Sequence, residues 1–186
     1  MFILSIDVGW KNLAYCILRL DGDTVEIKDW NLKNLLDEDV NVNKLSIDKL
    51  LDASAKKLNE FISESKQTLK NIDETYSQCR VYIEAQPMGP FSKNIKTKVL
   101  SHIFQFSYLN EIQVLFINSK KKLKNVLKGE KLYYSKLKKK SVDHTMELLE
   151  KYKSNENKKF IAFFQEKKGK RDDLADCFLQ AIYGME

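Results

Sequence analysis

Phe2-Ile3-Leu4-Ser5-Ile6-Asp7-Val8-Gly9 is a run of apolar and β-branched residues closed by a carboxylate and a glycine. Such a run reads as a short buried strand, and Gly9 falls where a tight turn must follow. Val81-Tyr82-Ile83-Glu84 repeats the arrangement, a second strand ending in a carboxylate. Asp172-Asp173-Leu174-Ala175-Asp176 opens an apolar helix near the C-terminus. Charged side chains are rarely buried unless they are paired or bind metal. Three such placements, far apart in sequence, predict one carboxylate cluster that binds divalent metal.

The other elements follow from periodicity. Leu13–Leu18 is the next strand, Asp21-Gly22 is a hairpin signal, and Val25–Leu32 is the third strand. From Ser46 to about Leu69 the period changes, with Ile47, Leu50, Leu58, Phe61 and Ile62 on one helical face. Cys79–Ala85 is the fourth strand, and Pro87 stops it. Ile95, Val99, Ile103 and Phe106 mark a helix, and Ile112–Ile117 is the fifth strand. Helices are then expected over Lys120–Leu127, around Val142–Tyr152, and from about Asp172 to Tyr183, with a short apolar element at Phe160–Phe164. This order implies an α/β domain with a mixed sheet and helices on its faces. Residues 1–186 are read as one domain, with a basic helical insertion at about 129–168.

Composition narrows the function classes. The chain has 186 residues, 43 % of them hydrophobic, which suits a globular domain. It has two prolines and six glycines, unlike a many-turned β-sandwich. No run is long and apolar enough to span a membrane, and no basic segment precedes the first apolar stretch, so a cytoplasmic protein is expected. Cys16, Cys79 and Cys177 form no metal-finger spacing and read as reduced thiols.

The net charge of +6 is uneven. Residues 1–119 carry 14 Lys+Arg against 16 Asp+Glu, net −2. Residues 120–171 carry 18 against 6, net +12, and residues 172–186 carry four acids and no base. A basic block beside a metal-binding carboxylate set points to a nucleic-acid ligand. Asp173 and Asp176, at i and i+3, face the same way on a helix and can point toward Asp7 and Glu84. Carboxylates held together repel and raise one another's pKa, and a hard divalent cation relieves that. Magnesium suits such a site because it takes oxygen ligands and keeps waters for a substrate phosphate.

Ile6-Asp7-Val8-Gly9 with Asn12 and Ala14, Ile83-Glu84-Ala85-Gln86-Pro87, and Asp173-Leu174-Ala175-Asp176 occur in the order found in the RNase H-like nucleases. The set resembles the RuvC-like Holliday junction resolvases and, among them, the poxvirus branch. The resemblance covers nearly the whole chain. It implies an RNase H-like fold with a five-stranded mixed sheet. It also implies a homodimer that cuts two opposed strands of branched (four-way) DNA, using two Mg²⁺ ions, with Mn²⁺ as a substitute. By position, Asp7, Glu84, Asp173 and Asp176 would be catalytic metal ligands, with Asp172 competing against Asp173. The resemblance also implies an active-site lysine after the fifth strand, for which Lys122 and then Lys124 are the expectation.

Lys120, Lys121, Lys124, Lys138, Lys139, Lys140, Lys170 and Arg171 are the expected contacts to DNA phosphates. Trp10, Tyr133 and Tyr134 could stack on opened bases, although Trp10 also suits a hydrophobic cover over the first turn. Ile95, Phe104 and Phe106 are candidate dimer contacts. An RNase H-type or flap nuclease needs the same carboxylates and is the alternative reading. A DNA-binding module without catalysis is disfavoured, since uncompensated acids would repel DNA.

Overall fold

The computed structural model of the chain describes residues 1–86, 95–118, 127, 134–167 and 169–184. The strands are β1 (Phe2–Asp7), β2 (Leu13–Asp21), β3 (Thr24–Lys33), β4 (Cys79–Glu84) and β5 (Gln113–Ile117). The helices are α1 (Ile47–Ile72), α2 (Ile95–Tyr108), α3 (Tyr134–Lys151), α4 (Lys158–Glu166) and α5 (Arg171–Tyr183). The strands form one sheet in the order β3-β2-β1-β4-β5. The β1–β2 and β2–β3 pairs are antiparallel, while β1–β4 and β4–β5 are parallel. This is the mixed five-stranded α/β sheet expected from the sequence.

Alternation along each strand feeds two cores, one on each face. Leu4, Ile6, Ile17, Val81 and Ile83 pack with Leu50, Leu58 and Phe61 of α1 and with Leu100 and Phe104 of α2. Ile3, Cys16, Leu18 and Tyr82 pack with Leu149 of α3, Phe160 and Phe164 of α4, and Leu174 and Phe178 of α5. The helices therefore cover both faces. Trp10 is 3 % exposed and lies in the α1-side core, so it covers the β1–β2 turn and is not available for stacking on bases.

Two boundaries differ from the periodicity. Helix α3 begins at Tyr134, ahead of Val142, because its lysine-rich first turns carry no apolar stripe. Helix α5 begins at Arg171, one residue ahead of Asp172, and its N-cap is Lys170, in the left-handed region at φ 61°. Most of the expected Lys120–Leu127 helix, with Tyr133, lies outside the described residues.

Asn157, 1 % exposed, closes the free edge of the sheet. Its Oδ1 accepts from Ile27 N at 2.8 Å and its Nδ2 donates to Val25 O at 2.8 Å, replacing a neighbouring strand on β3.

The turn after β1 is sterically fixed. A Cβ on Gly9 would lie 2.7 Å from the Asn12 carbonyl oxygen. Gly9→Ala is expected to cost about 1–3 kcal/mol through this overpacking. Thermal unfolding would read it as a drop of about 2–4 °C per kcal/mol for a chain of this size. An unchanged midpoint would mean that the turn opens without cost.

Candidate active site

The parallel register places the first two acids. Ile6 pairs with Ile83 across β1–β4, so Asp7 and Glu84, one residue further along, leave the sheet side by side at one edge. Strand alternation turns both toward the face covered by α5, as it does Ser5 and Tyr82. Both are half-buried.

Helix α5 crosses that face obliquely and is pinned at three points. Trp30 Nε1 donates to Leu174 O at 3.2 Å, and Cys16 Sγ donates to Cys177 O at 3.4 Å. Buried Gln180 donates from Nε2 to Ile6 O and to Tyr82 O, each at 3.2 Å. Gln180 thus ties α5 to the two strands just before their terminal carboxylates. At its far end, Gly184 permits close approach, since a Cβ there would lie 2.9 Å from the Tyr82 ring. Asp176 lies one turn before Gln180 and Asp173 one turn earlier still, so both stand on the first half of α5, which is anchored to β3 and β2 through Leu174 and Cys177. The Cys177 thiol is pushed up by burial, then by the Cys16 hydrogen bond, and further by the charge of Asp7.

Asp173 and Asp172 diverge electrostatically. Burial, then the neighbouring Asp172 and more weakly Asp176, push the Asp173 carboxyl up, against Lys170 and Lys138. Lys170 Nζ stands 3.8 Å from Asp173 Oδ2. For Asp172 burial is outweighed by the hydrogen bond and charge of Lys138, and its carboxyl lies below the usual range. The Lys138–Asp172 pair bridges α3 and α5. This leaves Asp172 in a structural pair and Asp173 in an acidic neighbourhood that a cation would relieve.

The donor set is all carboxylate oxygen, which fits a hard divalent cation. Among the described residues, no three His, Cys, Asp or Glu side chains are grouped as a metal cage. Magnesium does not require one, because it binds through one or two carboxylates plus water and substrate phosphate. Asp7 with Glu84, and Asp173 with Asp176, are the pairs that would hold it.

The expected DNA contacts differ in how they are engaged. Lys139 is exposed on α3, whereas Lys138 is engaged with Asp172. Arg171 donates from Nε to Lys167 O at 3.1 Å and from Nη2 to Gln165 O at 2.5 Å, closing the end of α4. Lys120, Lys121, Lys122 and Lys124 lie outside the described residues. A cavity of about 330 Å³ follows the Glu84 strand, lined by Ala85, Gln86, Lys98, Ser101, His102 and Phe116. All three cysteines are free and buried, as reduced thiols should be. No helix among the described residues is long and apolar enough to cross a membrane.

The sheet order, the two-sided helical cover and the acid-bearing edge define an RNase H-like α/β architecture of the RuvC type. Within it, the chain belongs to the poxvirus A22 protein family, whose profile matches residues 1–185. No curated protein matches the sequence significantly. Among solved structures, the fowlpox virus resolvase in complex with its substrate Holliday junction DNA is similar, at 21 % identity and TM-score 0.55, covering 100 % of this chain and 95 % of that one. The yeast mitochondrial Holliday junction resolvase Ydc2 is similar at 20 % identity and TM-score 0.61, covering 98 % of this chain and 78 % of that one. Thermus thermophilus RuvC is similar at 10 % identity and TM-score 0.58, covering 98 % and 94 %.

Proposed function

We propose that the chain is a metal-dependent, structure-selective DNA endonuclease that resolves four-way junctions by paired phosphodiester hydrolysis. The observation that carries this reading is the side-by-side exit of Asp7 and Glu84 on the sheet face packed by α5, the helix that carries Asp173 and Asp176. The full-length likeness to resolvases from a poxvirus, yeast mitochondria and a bacterium supports it. The work such an enzyme would do is to separate branched or concatenated viral genomes after replication, in the cytoplasm.

Bound divalent ions, two in our reading with Mg²⁺ or Mn²⁺ as the metal, would supply charge neutralisation at the scissile phosphate and a more acidic attacking water. Asp7 and Glu84 at the strand ends and Asp173 and Asp176 on α5 would hold those ions and accept hydrogen bonds from their waters. Lys170, 3.8 Å from Asp173, is placed to hold a non-bridging phosphate oxygen beside them. Lys122 remains our first choice for a further lysine of the site. Lys139 and Lys140 on α3 extend the basic surface for backbone phosphates.

One chain brings one such acid set, so two opposed cuts require a second copy. Helix α2 and edge strand β5 offer the surface for it. Phe106 is 70 % exposed and Ile95 52 %, with Leu109 and Phe116 beside them, whereas Phe104 is fully buried in the core. Phe106→Glu is expected to shift the protein to monomer in sedimentation and to uncouple the two nicks. A dimer unaffected by that change would move the interface elsewhere.

The deciding experiment is cleavage of a labelled four-way DNA junction, with duplex and RNA–DNA hybrid controls, in Mg²⁺ and in EDTA. Symmetric, metal-dependent nicks that leave ligatable duplexes are expected. Cutting confined to the hybrid would make it an RNase H-type enzyme. No cutting in Mg²⁺ or Mn²⁺ would overturn the nuclease reading.

A further inference from the structure

Beside the carboxylate edge runs an open groove of about 540 Å³ between the β1–β2 turn, the end of β3 and the α4–α5 connection. Four lysines from these three segments line it: Lys11, Lys33, Lys167 and Lys170. The amides of Asn12 and Asn34 stand between them, and Glu166 is the one acid on its wall among the described residues. Lys11 and Lys33 come from the acidic part of the sequence, outside the basic block, and only the fold brings them to it.

Their present partners are weak competitors. Lys11 Nζ donates to Glu38 O at 2.6 Å and Lys33 Nζ pairs with Glu64 at 3.0 Å, with Lys33 38 % and Glu64 62 % exposed. Such exposed pairs contribute little and are screened by salt. An ammonium also carries three donors, so one partner leaves two for a phosphate. Asn12, with its amide turned to satisfy both ends, donates to Lys11 O and accepts from Lys170 Nζ, each at 3.2 Å. Lys170 therefore stands between the groove, through Asn12, and the acid site, through Asp173. Its left-handed backbone, unusual for lysine and at an N-cap that favours Ser, Asp or Asn, is the local-rule violation expected at a working position.

We propose that this groove is a track for the phosphodiester backbone of a DNA arm, anchored by Lys11, Lys33 and Lys167 and handed to the carboxylates at Lys170. It rests on the junction-nuclease reading above. The partner chemistry is a regularly spaced polyanion, which a row of ammonium groups and amide donors recognises without reading bases.

The test is binding of a four-way DNA junction and of a duplex in EDTA across a salt series, for wild type, Lys11→Ala/Lys33→Ala and Lys70→Ala. Lys170 is left intact because of its contact with Asp173. Lys70 is exposed in the last turn of α1, by the strand-entry edge where Phe2 N meets Gln78 O, opposite the acid edge. Removing one lysine–phosphate pairing lowers the slope of log K against log salt by about 0.9 and, at 0.1 M salt, weakens binding about eightfold. The double variant is expected to lose about twice that slope, with its melting midpoint unchanged and Lys70→Ala like wild type. Wild-type slope and affinity in the double variant would overturn the groove, as would weaker binding at an unchanged slope or an equal loss in Lys70→Ala. If wild type cuts no junction yet the double variant still loses slope on both DNAs, the nuclease reading fails and the groove stands. Wild type that binds neither DNA overturns both.

Discussion

Asp7→Asn is expected to lower the junction-cleavage rate at least ~1,000-fold, about 4 kcal/mol of lost transition-state stabilisation. The substitution keeps the size of the side chain and removes the charge at the exit of β1, next to Glu84 on the face that α5 covers. The loss falls on the chemical step, because the carboxylate's contribution is to hold positive charge where the phosphate develops negative charge. Binding in EDTA should persist or tighten, since one negative charge near the DNA backbone is gone. The melting midpoint should change little, because asparagine keeps the size and shape of the side chain at a half-buried position. Cleavage kinetics, junction binding and thermal melting of the one variant separate these effects. Unchanged cutting would remove Asp7 from the site, and joint loss of cutting, binding and melting temperature would make its role structural.

The same assay divides Asp173 from Asp172. Asp173→Asn should behave like Asp7→Asn, because this carboxyl is pushed up by burial and by its acidic neighbours, where a cation would be welcome. Asp172→Asn should cost less than about tenfold in rate, because its carboxylate is already paired with Lys138. The reverse ranking would move the ligand to Asp172 and leave Lys138–Asp172 as part of the metal site.

The acid-bearing elements were legible in the sequence because each announces itself locally. Phe2–Asp7 and Cys79–Glu84 alternate and then stop at a carboxylate, and Asp173 and Asp176 sit one helical turn apart on a helix whose Leu174 and Phe178 mark the core face. The sheet order follows from the element order once β1 is the strand that both β2 and β4 flank. What stayed hidden is carried by single polar residues meeting across long stretches of chain. Asn157 sits in a polar stretch that reads as loop, yet it pairs with β3, 130 residues away. Gln180 belongs to no motif in the sequence, yet its amide bridges two buried strands. Lys11 and Lys33 lie outside the basic block of the sequence, and only the fold sets them beside Lys167 and Lys170. Arg171 and Lys138 read as contacts to DNA phosphates, and no spacing announces their partners within the chain, the carbonyls of Gln165 and Lys167 and the carboxylate of Asp172. Periodicity reports which face a residue is on, not which distant group it will find there.

Trp30→Ala should be the most damaging core change, and its consequence reaches the acids. The indole is 2 % exposed, stacked on Phe164 at 4.9 Å between ring centroids and tilted against Phe178 at 5.2 Å. Truncation to alanine at such a site costs about 3–5 kcal/mol, a large part of the roughly 5–15 kcal/mol that typically holds a domain folded. At about 2–4 °C per kcal/mol, the melting midpoint should fall by roughly 6–20 °C. The indole N–H also holds Leu174 O, the residue after Asp173, so the first turn of α5 loses its anchor to β3. Junction cleavage should therefore fail at temperatures below the variant's own midpoint, while the sheet still gives a folded signal. Trp30→Phe keeps a ring between Phe164 and Phe178 and removes the hydrogen bond; Leu174 O retains the Cys177 thiol at 3.1 Å, so its cost should be the smaller part. A midpoint for Trp30→Ala within about 2 °C of wild type, less than 1 kcal/mol costs in a chain of this size, would show that α5 docks without the indole. Its hold on Asp173 would then have to come from Gln180, Cys16 and the Lys138–Asp172 pair.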